Sequence, residues 1–272
     1  MDKPDNRVEY DIWFTSTDDR ALDFIDDFRE YDSTLGKKVL MTPHYVTFEC
    51  LDCDRDFKET ECYGDGKYCA INHKNVKISG RDIMNEDLRQ QCIYNNSMTD
   101  NGNAENFWDY ISRVHSICYQ YINEDCSMNA HKDLGINYED TMSCVTESFG
   151  RDRINDYKAE NKVLRSERTY WNNYGANFYP SIVINNRTYR GAFEPEAVFD
   201  AICAGFASKP SECKEGGIFN GVDVMTVVYI VIGLILFNIC LLYCYRRVQK
   251  REMQEDMKMQ VNSAVSQYFA LS

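Results

Sequence analysis

Two cysteines separated by two residues, Cys50-Leu51-Asp52-Cys53, are where this 272-residue chain most visibly offers chemistry. A CxxC pair exchanges disulfides when one of its thiols ionises readily, as it does at a helix N-terminus or beside a cation. Here the pair sits in "FECLDCDRDF", after a strand-like run and among Glu49, Asp52, Asp54 and Asp56. Negative charge raises a thiol pKa and slows its attack. Ten of the twelve cysteines lie before residue 224: Cys50, Cys53, Cys62, Cys69, Cys92, Cys118, Cys126, Cys144, Cys203 and Cys213. An even number in an acidic segment reads as five disulfides of an oxidising compartment, which argues against zinc binding by the same thiols. Spacing leaves the connectivity open but favours Cys62–Cys69, Cys126–Cys144 and Cys203–Cys213. His44, His73, His115 and His131 are scattered without metal-ligand spacing, and His44 is expected to be a hydrogen-bonded structural residue in a strand. There is no GxSxG and no phosphate loop. No catalytic residue, metal ligand or cofactor is assigned.

Other motifs concern address rather than catalysis. Asn95-Asn96-Ser97 and Asn186-Arg187-Thr188 are N-glycosylation sequons, with Asn95 and Asn186 as the acceptors. Near the C-terminus, Tyr268-Phe269-Ala270-Leu271 fits the Tyr-x-x-Φ pattern. The medium subunit of clathrin adaptors binds such peptides in extended form, with one pocket for Tyr268 and one for Leu271. Residues 224–243, "VMTVVYIVIGLILFNICLLY", carry no charge and are long enough as a helix to cross a bilayer's hydrocarbon core of about 30 Å. The basic run "RRVQKR" follows directly, which places the tail 244–272 in the cytoplasm and residues 1–223 on the lumenal side, a type I topology. Cys240 and Cys244, at the cytoplasmic end of the span, are candidates for acylation. The chain has a net charge of −13, so it lacks the basic face that a nucleic-acid partner requires. "MDKPDNRVEY" has no apolar signal-peptide core, and a missing upstream part is expected.

These residues need a scaffold. "VEYDIWFT" is rich in strand formers, and "STDD" after it offers helix-capping chemistry. Ala21, Phe24, Ile25 and Phe28 then recur at helical spacing. "KVLMTPHYVTFEC" reads as a second strand, placed at a sheet edge or begun late by Pro43. Residues from Cys53 to Cys69 read as a stapled loop region. A helical block follows over about residues 79–174, ending at a Gly175 cap. After it, "YPSIVINNRTYRG" gives two short strands around Asn185-Asn186, whose tolerance of positive φ suits a tight turn. "EPEAVFDAICAGF" is a last helix with Pro195 in its first turn.

That order is the thioredoxin-like one. The fold class expected is therefore α/β: a thioredoxin-like domain with a disulfide-linked helical insertion, followed by one transmembrane helix. Its parts are a start at 1–7, the lumenal domain at 8–213, a linker at 214–223, the span at 224–243 and the tail at 244–272. In this fold the proline before the hairpin often follows a cis bond, so Tyr179-Pro180 is expected to be cis and to offer a peptide contact. Catalytic cysteines of the fold sit where the first helix begins. This chain has "FTSTDDRA" there, without a thiol.

Several blocks in order carry a family resemblance: "VEYDIW", "MTPHYVTF", "CYGDGKYCA", "GRDIMNEDLRQQC", "WDYISRVHSIC", "YPSIVINNRTYRG", "AVFDAICAGF" and the tail "QYFAL". With these blocks the chain resembles the plant-type vacuolar sorting receptors in their membrane-proximal half. The resemblance implies a type I receptor of Golgi, endosomal and prevacuolar membranes that carries soluble lumenal cargo, such as hydrolases, in coated vesicles to a lysosome-like or vacuolar compartment. Members of that family carry a protease-associated domain upstream of the half this chain resembles. Epidermal-growth-factor-like repeats, often calcium-binding in the family, would stand where this chain has only "KEGGIFNGVD". The alternative is a membrane-bound thiol-disulfide oxidoreductase of the secretory pathway that uses Cys50 and Cys53.

Overall fold

The structure, a computed structural model, describes residues 6–70, 78–100, 103–118, 121–150, 154–174 and 178–214, together with 229, 232–243, 245–247 and 253. The chain divides into two compact units, Met1–Ile218 and Phe219–Ser272.

In the first unit, strand β1 (Val8–Phe14) pairs in parallel with β2 (Val39–Tyr45) and antiparallel with β6 (Ser181–Ile184), which pairs with β7 (Arg187–Thr188). The sheet order is β2-β1-β6-β7, so β2 is an edge strand, the position its Pro43 calls for. Pleating sends alternate residues of β1 to opposite faces. Val8, Tyr10, Ile12 and Phe14 enter the main core, while Trp13 joins Val46 and Val183 in a smaller cluster on the other face.

Helix α1 (Asp19–Leu35) begins at Asp18, whose side chain accepts from the Ala21 N–H at 3.3 Å. It buries Ala21, Leu22, Phe24, Ile25 and Phe28 in the main core. The β6–β7 turn places Asn185 at φ 47° and Asn186 at φ 63°, the left-handed pair that a two-residue hairpin requires. Helix α8 (Pro195–Ala204) starts on its proline and is tied by Cys203–Cys213 to the segment that follows.

The segment from Cys53 to Cys69, expected as a stapled loop, carries regular structure together with the residues on either side of it. Residues 47–70 contain β3 (Thr47–Phe48), helix α2 (Arg55–Glu61), β4 (Cys62–Tyr63) and β5 (Tyr68–Ala70), with the strands forming a second sheet in the order β3-β5-β4. Strands of two or three residues are too short to show alternation in sequence. The Cys62–Cys69 disulfide joins two residues directly opposite each other across β4 and β5. Gly66, at φ 96°, lies so close that a Cβ there would stand 2.4 Å from the Cys50 carbonyl oxygen.

The helical block consists of α3 (Gly80–Asp100), α4 (Glu105–Cys118), α5 (Glu124–Leu134), α6 (Tyr138–Ser148) and α7 (Lys162–Tyr174). Its disulfides correct the spacing argument: Cys126 pairs with Cys118, and Cys144 pairs with Cys92. Which cysteines meet depends on how the helices stack, and spacing along the chain carries no information about that. Helix α3 is buried along most of its length, and three of its polar residues are paired inside. Glu86 accepts from Arg89 at 2.9 Å and from Gln90 at 3.1 Å, while Gln90 accepts from the Tyr45 hydroxyl at 2.9 Å.

Among the described residues, no helix is long and apolar enough to cross a membrane. The expected span at 224–243 is described only at 229 and 232–243, which are helical with exposed side chains. Gly175, Cys244, Tyr268 and Leu271 lie outside the described residues.

Candidate functional site

The expected functional position of the domain is the start of α1, and it is tightly filled. Thr15, Ser16, Thr17 and Asp18 are all buried there. The Ser16 N–H donates to Asp87 Oδ1 of α3 at 3.0 Å, and the Asp18 N–H donates to the Thr15 carbonyl at 3.0 Å. Asp87 Oδ2 is buried without a hydrogen-bond partner. Burial pushes the Asp87 carboxyl up to about 7 despite the opposing Ser16 hydrogen bonds, with the nearby Glu86 and Glu167 charges adding to the rise. A redox site of this fold needs a thiolate at the helix end. This chain has a buried carboxyl beneath it.

The Tyr179-Pro180 bond is cis and half-buried beside that helix start. Burial and the Asp18 carboxylate push the Tyr179 hydroxyl above its ordinary value, which places the two residues near each other. Tyr179 packs on the Trp13, Val46 and Val183 cluster together with Trp171 of α7. Phe178 and Tyr170 stand exposed, each at 45 %, and Tyr170 meets the His44 ring edge-on at 5.7 Å. The hairpin thus brings Tyr179 and Pro180 together with aromatic side chains that sequence reading did not assign to the site.

A buried charge cluster holds α7 against the sheet. His44 Nδ1 donates to Glu167 Oε2 at 2.9 Å, and its Nε2 lies 3.7 Å from Asp11 Oδ1. Glu167 Oε2 also accepts from the Tyr45 N–H at 3.1 Å. The imidazole stacks on Trp13 at 4.3 Å, and Trp13 meets Trp171 edge-on at 5.3 Å. Burial would lower the His44 pKa, but the two carboxylates outweigh it and hold it at about 9, so the ring is cationic at neutral pH. His44 is the hydrogen-bonded strand residue expected. Its partner, 123 positions away, had no signal in the sequence.

The remaining candidates are dispersed. Cys50 and Cys53 are bonded to each other in a partly exposed loop between β3 and α2, not at the α1 end. Asn95 and Asn186 are both exposed, on α3 and at the hairpin turn. One grouping missed by spacing could hold a cation: Asp19 and Asp23 of α1 with His115 of α4, where His115 Nε2 is 3.0 Å from Asp19 Oδ1. The histidine and the aspartates come from helices far apart in the chain, beyond any motif.

Residues 8–203 match the family model of the vacuolar sorting receptor thioredoxin-like domain. The chain belongs to the vacuolar sorting receptor family. Vacuolar-sorting receptor 7 of Arabidopsis thaliana is 31% identical over 237 residues, which cover 79% of this chain and 37% of that protein. Vacuolar-sorting receptor 1 of Pisum sativum is 30% identical over 232 residues, covering 77% of this chain and 36% of that one. The chain therefore spans little more than a third of the length of these relatives. Among solved structures, oxidised Mtb DsbA aligns with a TM-score of 0.46 at 12% identity, covering 79% of this chain and 94% of its own. Chlamydia trachomatis DsbA aligns at 0.45 and 11%, covering 76% and 92%.

Proposed function

We propose that this chain is the membrane-proximal part of a type I sorting receptor that carries soluble proteins from the Golgi to a vacuole-like or lysosome-like compartment. In this reading residues 224–243 span the bilayer, the thioredoxin-like domain is lumenal and non-enzymatic, and the tail binds a clathrin adaptor through Tyr268 and Leu271. The observation that carries it is the α1 start, where Thr15–Asp18 stand buried over Asp87 beside Tyr179-Pro180. A thioredoxin-like site with that content has no thiol at the helix start, yet it keeps an aromatic face for contacting a peptide. Membership of a family whose relatives are named sorting receptors supports the same reading.

The test replaces Tyr268 with Ala in the full chain expressed in its own cells. The expected result is loss of binding to the adaptor medium subunit and accumulation at the cell surface. Unchanged localisation defeats the trafficking proposal.

A second reading, a thiol-disulfide oxidoreductase, is favoured by one observation: Cys50 and Cys53 are bonded to each other and partly exposed. It requires Cys53→Ser to trap client proteins as mixed disulfides through Cys50. Absence of such adducts under non-reducing electrophoresis eliminates it.

A further inference from the structure

A second concave site lies in the helical insertion, away from both the α1 start and the Cys50–Cys53 loop. It is a cavity of about 460 Å³ between α3, the first turn of α4 and the α5–α6 connection with α6. Asn96 and Ser97 line it from α3, Asn106 from α4, and Asn137, Asp140 and Glu147 from the α6 side. Its volume falls within the range of small-ligand sites. The Cys92–Cys144 disulfide joins α3 to α6, and Cys144 itself lines the cavity, so the two walls are cross-linked before anything binds. A preformed site loses less conformational freedom on binding than one that must close.

The lining selects the chemistry. No lysine, arginine or histidine lines the cavity among the described residues, which disfavours phosphate and carboxylate ligands. Among the described residues, Ile93 and Ile136 are the only large apolar ones lining it, too few for a lipid chain. What converges is a set of amides and hydroxyls that both donate and accept, with two carboxylates that accept. Ser97 is 2 % exposed, and its Oγ has no hydrogen-bond partner. A buried hydroxyl left unpaired is unfavourable, and a ligand group that reaches it removes that penalty. Sugar hydroxyls match such a lining because each one donates and accepts. An ammonium group only donates, which leaves the amide N–H groups unmatched.

We propose that this cavity is a saccharide-binding site, built from the side chains of Asn96, Ser97, Asn106 and Asp140 on walls fixed by Cys92–Cys144. With no aromatic ring among the described lining residues, its affinity rests on hydrogen bonds, and a Kd on the order of millimolar is expected for a single sugar unit. The saccharide comes either from outside the chain or from a glycan on the neighbouring Asn95.

The experiment uses the full chain carrying Asn95→Gln, held in a detergent whose headgroup is not a sugar. Chitobiose, methyl α-mannoside and lysine methyl ester are the probes, read by saturation-transfer NMR and titration calorimetry. At least one sugar is expected to bind saturably. Ser97→Ala is expected to weaken that binding several-fold while leaving the Tm of the free protein unchanged or raised, because it deletes an unpaired hydroxyl. Asn106→Leu is expected to weaken it ten-fold or more. Saturable binding of neither sugar, tighter binding of lysine methyl ester, or an affinity unchanged in both variants overturns the proposal. Protein glycosylated at Asn95 distinguishes the two sources. Sugar binding that appears only after enzymatic deglycosylation assigns the cavity to the chain's own glycan, and binding present before it assigns the cavity to glycans from outside. Both results support a saccharide site.

Discussion

Replacing His44 with Gln tests the buried cluster that fastens α7 to the sheet. In the folded chain His44 titrates at about 9, against an ordinary value of 6.5. Raising a pKa by one corresponds to about 1.4 kcal/mol, so preferential protonation of the folded state contributes about 3 kcal/mol. The folded pKa is the raised one. That contribution is therefore complete below pH 6.5 and fades as pH rises through 9. Asp11 and Glu167 face the imidazole, and removing the cation leaves both carboxylates buried without it. Breaking one side of such a pair typically costs about 3–5 kcal/mol. Urea unfolding between about pH 6 and 9.5, followed by tryptophan fluorescence, measures the effect, since Trp13 and Trp171 border the cluster. The stability difference between wild type and His44→Gln is expected to be largest near pH 6 and to shrink by about 3 kcal/mol by about pH 9.5. Taking the difference cancels groups common to both proteins, including Asp87. A difference that stays constant across this range refutes the assignment of the charge to His44.

Further outcomes follow from the buried carboxyl and the long-range disulfide. Asp87→Asn keeps the oxygen that accepts from the Ser16 N–H and removes a carboxyl whose folded pKa is raised from 3.8 to about 7. The raised value makes the wild-type domain lose stability as pH climbs from about 4 through 7, so the variant should have the higher Tm at about pH 8 and no advantage at about pH 4. Calorimetric scans at the two pH values check this. Changing Cys92 and Cys144 together to Ala opens the largest disulfide loop, with a separation of 52 residues, at a chain-entropy cost of about 4 kcal/mol. The same change at Cys118 and Cys126, separated by 8, should cost visibly less in denaturant titrations.

The parts legible in the sequence are those governed by local chemistry. Asp18 caps α1 because a carboxylate one residue before a helix meets its free N–H groups in any context. Asn185-Asn186 makes the hairpin because both residues tolerate positive φ, and Pro43 marks an edge strand because it has no N–H to give a neighbour. Cys62 and Cys69 meet because a short hairpin sets them opposite each other. The missing thiol at "FTSTDD" is likewise a fact of sequence alone. Tertiary structure decided the rest. It paired Cys144 with Cys92 instead of Cys126, because helix stacking sets which side chains meet. It buried Glu86, Arg89 and Gln90 by supplying partners from α3 itself and from Tyr45. It also set Glu167 beside His44, Asp87 beneath Ser16, and Asn106 across a cavity from Asp140. Capping, turns and φ preferences act over a few residues and survive in any fold that contains them. Burial and charge pairing depend on which distant surfaces the packed core brings together, and periodicity along one segment does not specify its partner.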